Sequence, residues 1–328
     1  YNILMEYRNK KDYLPWIEKY RPKKLNKIFG QDSLIGCLNK MLSAGSLPHM
    51  LFHGTSGTGK TSTILAIAKK LYGKNKTLMV MKLDASDDRG INSVREEIKG
   101  FAKKKTMYNK GIKLIILDEA DSMTFDAQFA LRQIIEKHSD TTRFCLICNY
   151  ENKIIPAIKS RCTNFRFNPI NYKDIEVKLK EISISEKLDI TNKALIAIAQ
   201  ISNGDLRKSI NLLQSISTRG DKIDVKLCYE TAGIPPPKTI KKIYNYLIND
   251  KKDFDKTLNM FNKDIKLKGY SLSILLKELI KHMIDDSDSI DDKILCNYMS
   301  KMSDLEVRVA NSTFSDIYLS SLIGIFKS

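Results

Sequence analysis

The stretch Leu51-Phe-His-Gly54-Thr-Ser-Gly57-Thr-Gly59-Lys60-Thr61 constrains this chain more than any other, because it matches G-x-x-x-x-G-K-T in its required setting. A short apolar run, Met50 to Phe52, precedes it, and the helical spacing of Ile64, Leu65, Ala68 and Leu71 follows. The expected unit is a strand, a tight loop and a helix. Glycines at 54, 57 and 59 let backbone N–H groups turn inward around phosphate oxygens, and the helix N-terminus adds positive partial charge. Thr55, Ser56, Thr58 and Ser62 complete a candidate nucleotide-binding segment over 54–62. Lys60 is placed to reach the β- and γ-phosphates, and Thr61 to offer its hydroxyl to Mg²⁺.

A chain of 328 residues exceeds one ordinary core, so two or three domains are expected. No apolar run approaches the length of a membrane span, and residues 1–12 lack the apolar centre of a signal peptide. The six cysteines are scattered through segments that read as core, which points to a reducing compartment rather than a disulfide framework. Cys145 and Cys148 form a C-x-x-C, but in a strand these positions point to opposite faces and no second pair follows. The net charge of +17 is unevenly spread: residues 1–170 carry 30 Lys and Arg against 16 Asp and Glu. An excess confined to the segment with the phosphate loop favours a polyanionic partner, most often nucleic acid.

Between residues 50 and 167 short apolar runs at 50–53, 78–83, 114–117 and 144–148 alternate with helical patterns. That alternation predicts an α/β ATPase domain over 1–170, with a parallel sheet covered on both faces and chemistry at the carboxyl ends of the strands. Beyond Asn168-Pro169 the pattern is helical only. A small helical lid is expected over 171–234, with Asp205 placed to cap a helix from Leu206, and an all-α collar over 235–328. Pro235-Pro-Pro237 reads as a stiff linker, and Leu272, Leu275, Leu276, Leu279, Ile280 and Met283 form an amphipathic stripe.

The run Leu114-Ile-Ile-Leu117 enters Asp118-Glu119-Ala-Asp121, presenting acids at the end of a buried strand. Asp118 is the candidate Mg²⁺ holder through water, and Glu119 the group that orients and polarises an attacking water. Asn149 ends the next strand, where an amide can hydrogen-bond both that water and the γ-phosphate. Arg161, in Ser160-Arg-Cys162, lies too far along the chain to serve its own nucleotide easily, so it is the candidate finger for a neighbour's site in trans. Arg207, in Gly204-Asp-Leu-Arg207, falls in the first turn of a lid helix and could bridge the lid to the γ-phosphate.

These residues in this order resemble the AAA+ ATPases, and more narrowly the small subunits of the replication factor C clamp loader. The match includes Trp16-Ile-Glu-Lys-Tyr-Arg-Pro22, Phe29-Gly-Gln31, Leu47-Pro-His-Met-Leu-Phe52, Ala85-Ser-Asp-Asp-Arg-Gly-Ile91, Asp118-Glu-Ala-Asp121 and Ser160-Arg-Cys162. The resemblance implies a nuclear heteropentamer with other replication factor C subunits that uses ATP and Mg²⁺ to load the sliding clamp, PCNA, onto primer–template DNA. It implies that Ile17, Arg21 and Phe29 pack on the adenine, and that Arg89, Arg95 and Lys153 track the DNA backbone. The family places apolar clamp anchors near the helix carrying Ile98 and Phe101, with Met107 and Tyr108 downstream, although apolar pairs at this spacing also serve cores. Two departures stand out. Thr55-Ser56 replaces two prolines usual in relatives, which predicts a less stiff loop, and Asp84 stands where many relatives have Asn and would repel an ionised Glu119.

Three other readings fit parts of the chain. D-E-A-D also labels RNA helicases, but those need a second RecA-like domain where this chain looks helical. A structural subunit with an idle ATP site is a second alternative, and a subunit of a related AAA+ complex a third.

Overall fold

Strands that are apolar on both faces need cover on both faces, and a parallel sheet wrapped by helices supplies it. The computed structural model describes residues 14–85, 91–103, 111–220, 222–248, 253–287, 291–312 and 316–327. Strands β1 (Met50–Gly54), β2 (Val80–Asp84), β3 (Lys113–Asp118), β4 (Thr142–Cys148) and β5 (Thr163–Phe167) form one sheet in the order β2-β3-β4-β1-β5. All four pairings are parallel. The first helices are α1 (Trp16–Lys19), α2 (Asp32–Ser43), α3 (Lys60–Tyr72), α4 (Lys76–Met79), α5 (Ile91–Lys103), α6 (Phe125–Lys137) and α7 (Pro156–Lys159).

The two-residue period of a strand sorts the side chains into two cores. Met50, Phe52, Leu114, Ile116, Cys145 and Ile147 turn to one side and pack with Ile64 and Ile67 of α3 and with Ile35 and Leu38 of α2. Leu51, Ile115, Leu117, Phe144, Leu146 and Cys148 turn to the other, against Ile98 of α5 and Leu131, Ile134 and Ile135 of α6. Cys145 and Cys148 therefore sit in different cores and do not face a common ion. Burial raises both thiols, Cys148 to about 12.

Two strand expectations are corrected. Residues 76–79 are helical and Leu78 is 68% exposed, so the strand starts at Val80. The apolar run misleads because its first two residues belong to a short helix, in which Met79 is buried while Leu78 faces outward. The fifth strand was not expected. It is the other edge, with Phe165 and Phe167 inward and Asn164 and Arg166 exposed, and only half of it carries a core signal.

Three lid helices follow: α8 (Tyr172–Ser185), α9 (Asn192–Ser202) and α10 (Leu206–Ser217). Asn203 and Gly204 both take positive φ between α9 and α10, and the Asp205 carboxylate accepts from the Lys208 N–H at 2.9 Å as the cap of α10. The chain divides after Ser217 into two compact units. The second is all helical among its described residues: α11 (Val225–Ala232), α12 (Pro237–Ile248), α13 (Phe254–Phe261), α14 (Leu272–Asp285), α15 (Asp292–Ala310) and α16 (Asp316–Lys327). Its core takes Leu272, Leu275, Leu276, Leu279 and Met283 from α14, with Ile280 partly buried beside them. Pro237 is the first residue of α12 rather than part of a linker, a position where its missing N–H costs nothing.

One buried amide joins the acidic turn after β3 to the segment after β4. Gln128 of α6 is 2% exposed; its Nε2 donates to the Met123 and Lys153 carbonyls and its Oε1 accepts from the Ile155 N–H at 2.9 Å. Gln128→Ala leaves that buried N–H without its acceptor, so a loss of about 2–3 kcal/mol is expected. Urea unfolding followed by tryptophan fluorescence of Trp16 checks it, as a lower midpoint for the first unit.

Candidate functional site

Carboxyl ends of parallel strands expose the loops that leave them, and here those loops meet around one cleft of about 1080 Å³, mouth included. The cleft is lined by Ser56, Gly57, Thr58, Gly59, Lys60, Thr61 and Ser62 from the loop after β1, by Asp118 and Glu119 after β3, and by Asn149 after β4. Arg207, with Leu206 and Ile210 of α10, closes it from the lid side. Ile17, Arg21 and Phe29 line the part contributed by the N-terminal segment, together with Tyr20, Pro22 and Ile28.

The phosphate loop owes its shape to close approaches. A Cβ on Gly54 would lie 2.2 Å from the Phe167 carbonyl oxygen, and one on Gly57 would lie 1.8 Å from the Asp205 carboxylate. Both glycines also have positive φ. In place of prolines the loop is braced by side chains: buried Thr58 donates to the Thr55 carbonyl at 2.9 Å. Lys60 is 7% exposed and donates to the Gly54 and Thr55 carbonyls at 2.6 and 2.8 Å and to Asn149 Oδ1 at 3.0 Å. Burial lowers its pKa, and the Arg207 charge adds to that lowering while Asp118 and Asp121 oppose it.

Asp118 Oδ2 accepts from Thr61 Oγ1 at 3.2 Å, and Lys82 Nζ lies 3.2 Å from the same oxygen. Among the described residues no group of three or more His, Cys, Asp or Glu is gathered to hold a metal unaided. Thr61 and Asp118 instead offer hard oxygens beside a phosphate loop, which suits Mg²⁺, a cation that takes one or two carboxylates and completes its shell with phosphates and water. Glu119 is exposed and left-handed at φ 53°, a strained setting for a non-glycine residue, and its carbonyl accepts from Ser122 Oγ at 2.7 Å. Asp121 was not singled out from the sequence. Its carboxylate accepts from the Asn149 and Tyr150 N–H groups, each at 3.1 Å, and so locks the end of β4 to the acidic turn.

The N-terminal segment is tied to the lid. Trp16 N–H donates to Gln214 Oε1 at 3.0 Å, Tyr20 donates to Glu186 at 2.5 Å, and Lys19 pairs with Glu186 at 2.7 Å. Burial and the Glu186 contact push the Tyr20 hydroxyl up to about 12, keeping it a donor. Lys178 of α8 places its ammonium 4.9 Å from the Phe29 ring centre. None of these lid contacts has a motif; Tyr20 and Pro22 at least lie inside the quoted segment.

Arg161 is not among the residues lining the cleft. Its guanidinium donates to the Ala157 carbonyl at 2.7 Å and pairs at 2.5 Å with Glu136, which Arg132 also engages at 3.0 Å. Lys153 lies in the turn after β4 with its ammonium 5.3 Å from the Tyr150 ring. Arg89, Met107 and Tyr108 fall outside the described residues; Arg95 lies on α5, its side chain outside them too. Ile98 is 2% exposed within the core and so is not at a surface, whereas Phe101 is only partly buried against that core.

Comparison with known proteins agrees with this layout. Residues 50–170 match the family "ATPase family associated with various cellular activities (AAA)", residues 178–218 the "RCF1/5-like, AAA+ ATPase lid domain", and residues 235–324 the "Replication factor C C-terminal domain". The Holliday junction branch migration motor RuvB of Thermotoga maritima shares the fold, with a TM-score of 0.51 at 17% identity over 79% of this chain and 90% of that one. Much closer in sequence are "Probable replication factor C subunit 5" of Dictyostelium discoideum, 43% identical over 324 residues (98% of this chain, 92% of the relative), and replication factor C subunit 3 of Saccharomyces cerevisiae, 40% over 326 residues (98% and 95%). Human replication factor C subunit 5 is 43% identical over 318 residues (96% and 92%). Phosphate loop, acidic strand end, lid and C-terminal helical domain thus coincide with the matched spans, and the chain belongs to the replication factor C small-subunit family of AAA+ ATPases.

Proposed function

We propose that this chain is an ATP-hydrolysing subunit of a heteropentameric replication factor C clamp loader, coupling ATP to the loading of PCNA onto primer–template DNA. The observation that carries it is the convergence of Lys60, Thr61, Asp118, Glu119, Asn149 and Arg207 on one cleft closed by the lid. Its three domains are ATPase (1–170), lid (171–234) and collar (235–328).

ATP enters with its adenine among Ile17, Arg21 and Phe29 and its phosphates on the backbone N–H groups of 54–62. Lys60 exchanges its loop carbonyls for β- and γ-phosphate oxygens, stronger acceptors because they are charged. Mg²⁺, when bound, neutralises charge that develops on the phosphates. Glu119 orients the attacking water and draws on its proton, and the Asn149 amide, already 3.0 Å from Lys60, holds that water against the γ-phosphate. Arg207 brings the first turn of α10 to the γ-phosphate, so lid position follows the nucleotide's state.

Arg161 acts in trans on a neighbouring subunit's nucleotide, consistent with its absence from this chain's own cleft. Arg95 and Lys153, with Arg89, contact duplex phosphates without reading bases, in keeping with the +14 balance of residues 1–170. Phe101, at the edge of its core, remains the clamp-facing candidate of its helix. PCNA, DNA and the other subunits are the partners, and the nucleus is the compartment.

Lys60→Ala removes the central cation and is expected to abolish ATP binding in calorimetry; unchanged affinity contradicts the assignment. Glu119→Gln keeps the phosphate contacts, so ATP stays bound while turnover stalls by at least about 100-fold in a phosphate-release assay. Arg161→Ala is expected to leave this chain's own ATP affinity intact and to slow hydrolysis in the reconstituted complex, by about 10³-fold at the site it completes. Loss of ATP binding by the isolated variant would place Arg161 in cis.

A further inference from the structure

The acid that would serve the metal already has a cation. Lys82 and Asp84 alternate onto one face of β2, and Asp84 lies in register with Asp118 on β3. From two residues back Lys82 extends its ammonium to 3.2 Å from Asp118 Oδ2, the oxygen that also accepts from Thr61 at 3.2 Å. Asp118 Oδ1 is engaged too, accepting from the Glu119 N–H at 3.3 Å. The Asp118 side chain is 17% exposed and that of Lys82 45%, so the lysine reaches a sheltered carboxylate from an open side and can leave it without unpacking the fold.

We propose that Lys82 is a built-in counter-ion for Asp118 that competes with Mg²⁺ and sets how strongly nucleotide binding depends on the metal, which rests on the nucleotide-binding function proposed above. Without metal, Asp118 and the γ-phosphate repel each other, and Asp84, Glu119 and Asp121 add to the negative field. The Lys82 ammonium offsets that repulsion and lets metal-free ATP bind. When Mg²⁺ arrives with ATP, the lysine and the divalent ion cannot both occupy the same side of Asp118, and Lys82 gives way. Removing its charge therefore weakens metal-free binding and helps the metal-bound form. Both effects widen the gap between the two affinities. Thr61 and Lys60 contribute to both forms and do not produce this signature.

The test is calorimetric titration of the full chain with ATP, once in excess Mg²⁺ and once in EDTA, for the wild type, Lys82→Gln and Lys82→Arg. The Kd ratio, EDTA over Mg²⁺, is expected to rise about three- to fivefold in Lys82→Gln, a change on the scale of one partly exposed ion pair. Half-saturation by Mg²⁺ at fixed ATP should fall in parallel, and Lys82→Arg should retain the wild-type ratio. A Kd ratio in Lys82→Gln equal to that of the wild type overturns the proposal, as does an equal rise in Lys82→Arg. If Lys82→Gln melts early, Lys82→Met supplies the same comparison. Failure of the wild type to bind ATP in Mg²⁺ would instead sink the nucleotide-binding function itself, an outcome distinct from an unchanged ratio.

Discussion

The contact between the phosphate loop and the cap of the lid helix α10 governs this molecule. Gly57 lies so close to the Asp205 carboxylate that a single Cβ would overlap it, and Asp205 is at once the cap of α10. Gly204, beside it, would clash with Pro169 if it carried a Cβ, at 2.8 Å. The chain between β5 and the lid and the chain entering α10 are thus pressed together where the nucleotide is expected. A polyphosphate that reorders the loop cannot leave Asp205 untouched, and Arg207 two residues later shares the same turn. Lid and loop form one mechanical unit because no atoms separate them.

The N-terminal segment reinforces that unit from the other side. Trp16, Lys19 and Tyr20 reach Gln214 and Glu186, which lie at the far end of α10 and just past α8. The segment carrying Ile17 and Arg21 is therefore fastened to the lid rather than to the sheet, although Ile28 packs in the sheet's core. The N-terminal segment, the phosphate loop and the lid are three stretches distant in sequence that line one cleft. Arg161 stands outside this circuit, held by Glu136 on α6 in a network that also includes Arg132. It lines no part of this chain's own cleft.

What could be read from the sequence follows from how locally each feature is encoded. Asp118, Glu119 and Asn149 sit at or just past the ends of strands whose apolar runs are unmistakable, and Lys60 and Thr61 open the helix after another such strand, so pattern alone placed them at the same edge of the sheet. Arg207 was legible because Gly204 and Asp205 announce a helix start. β5 escaped because an edge strand shows only Phe165 and Phe167 to the core, and the 78–83 run misled because Leu78 faces outward. Ile98 has the same apolar face whether it meets a core or a partner, and only packing distinguishes the two. Asp121, Lys82 and Lys178 could not be found by spacing, since each gains its role from a residue distant in the chain. The Thr58 brace shows how a loop without its usual prolines is held by a side chain instead.

The coupling of lid and loop is most directly tested by hydrogen–deuterium exchange of the chain with and without ATP and Mg²⁺. ATP should slow exchange in the phosphate loop at 54–62 and, in the same titration, across the first turn of α10 and the segment 16–22. Protection confined to 54–62, with α10 and the N-terminal segment exchanging as in the free chain, would contradict it.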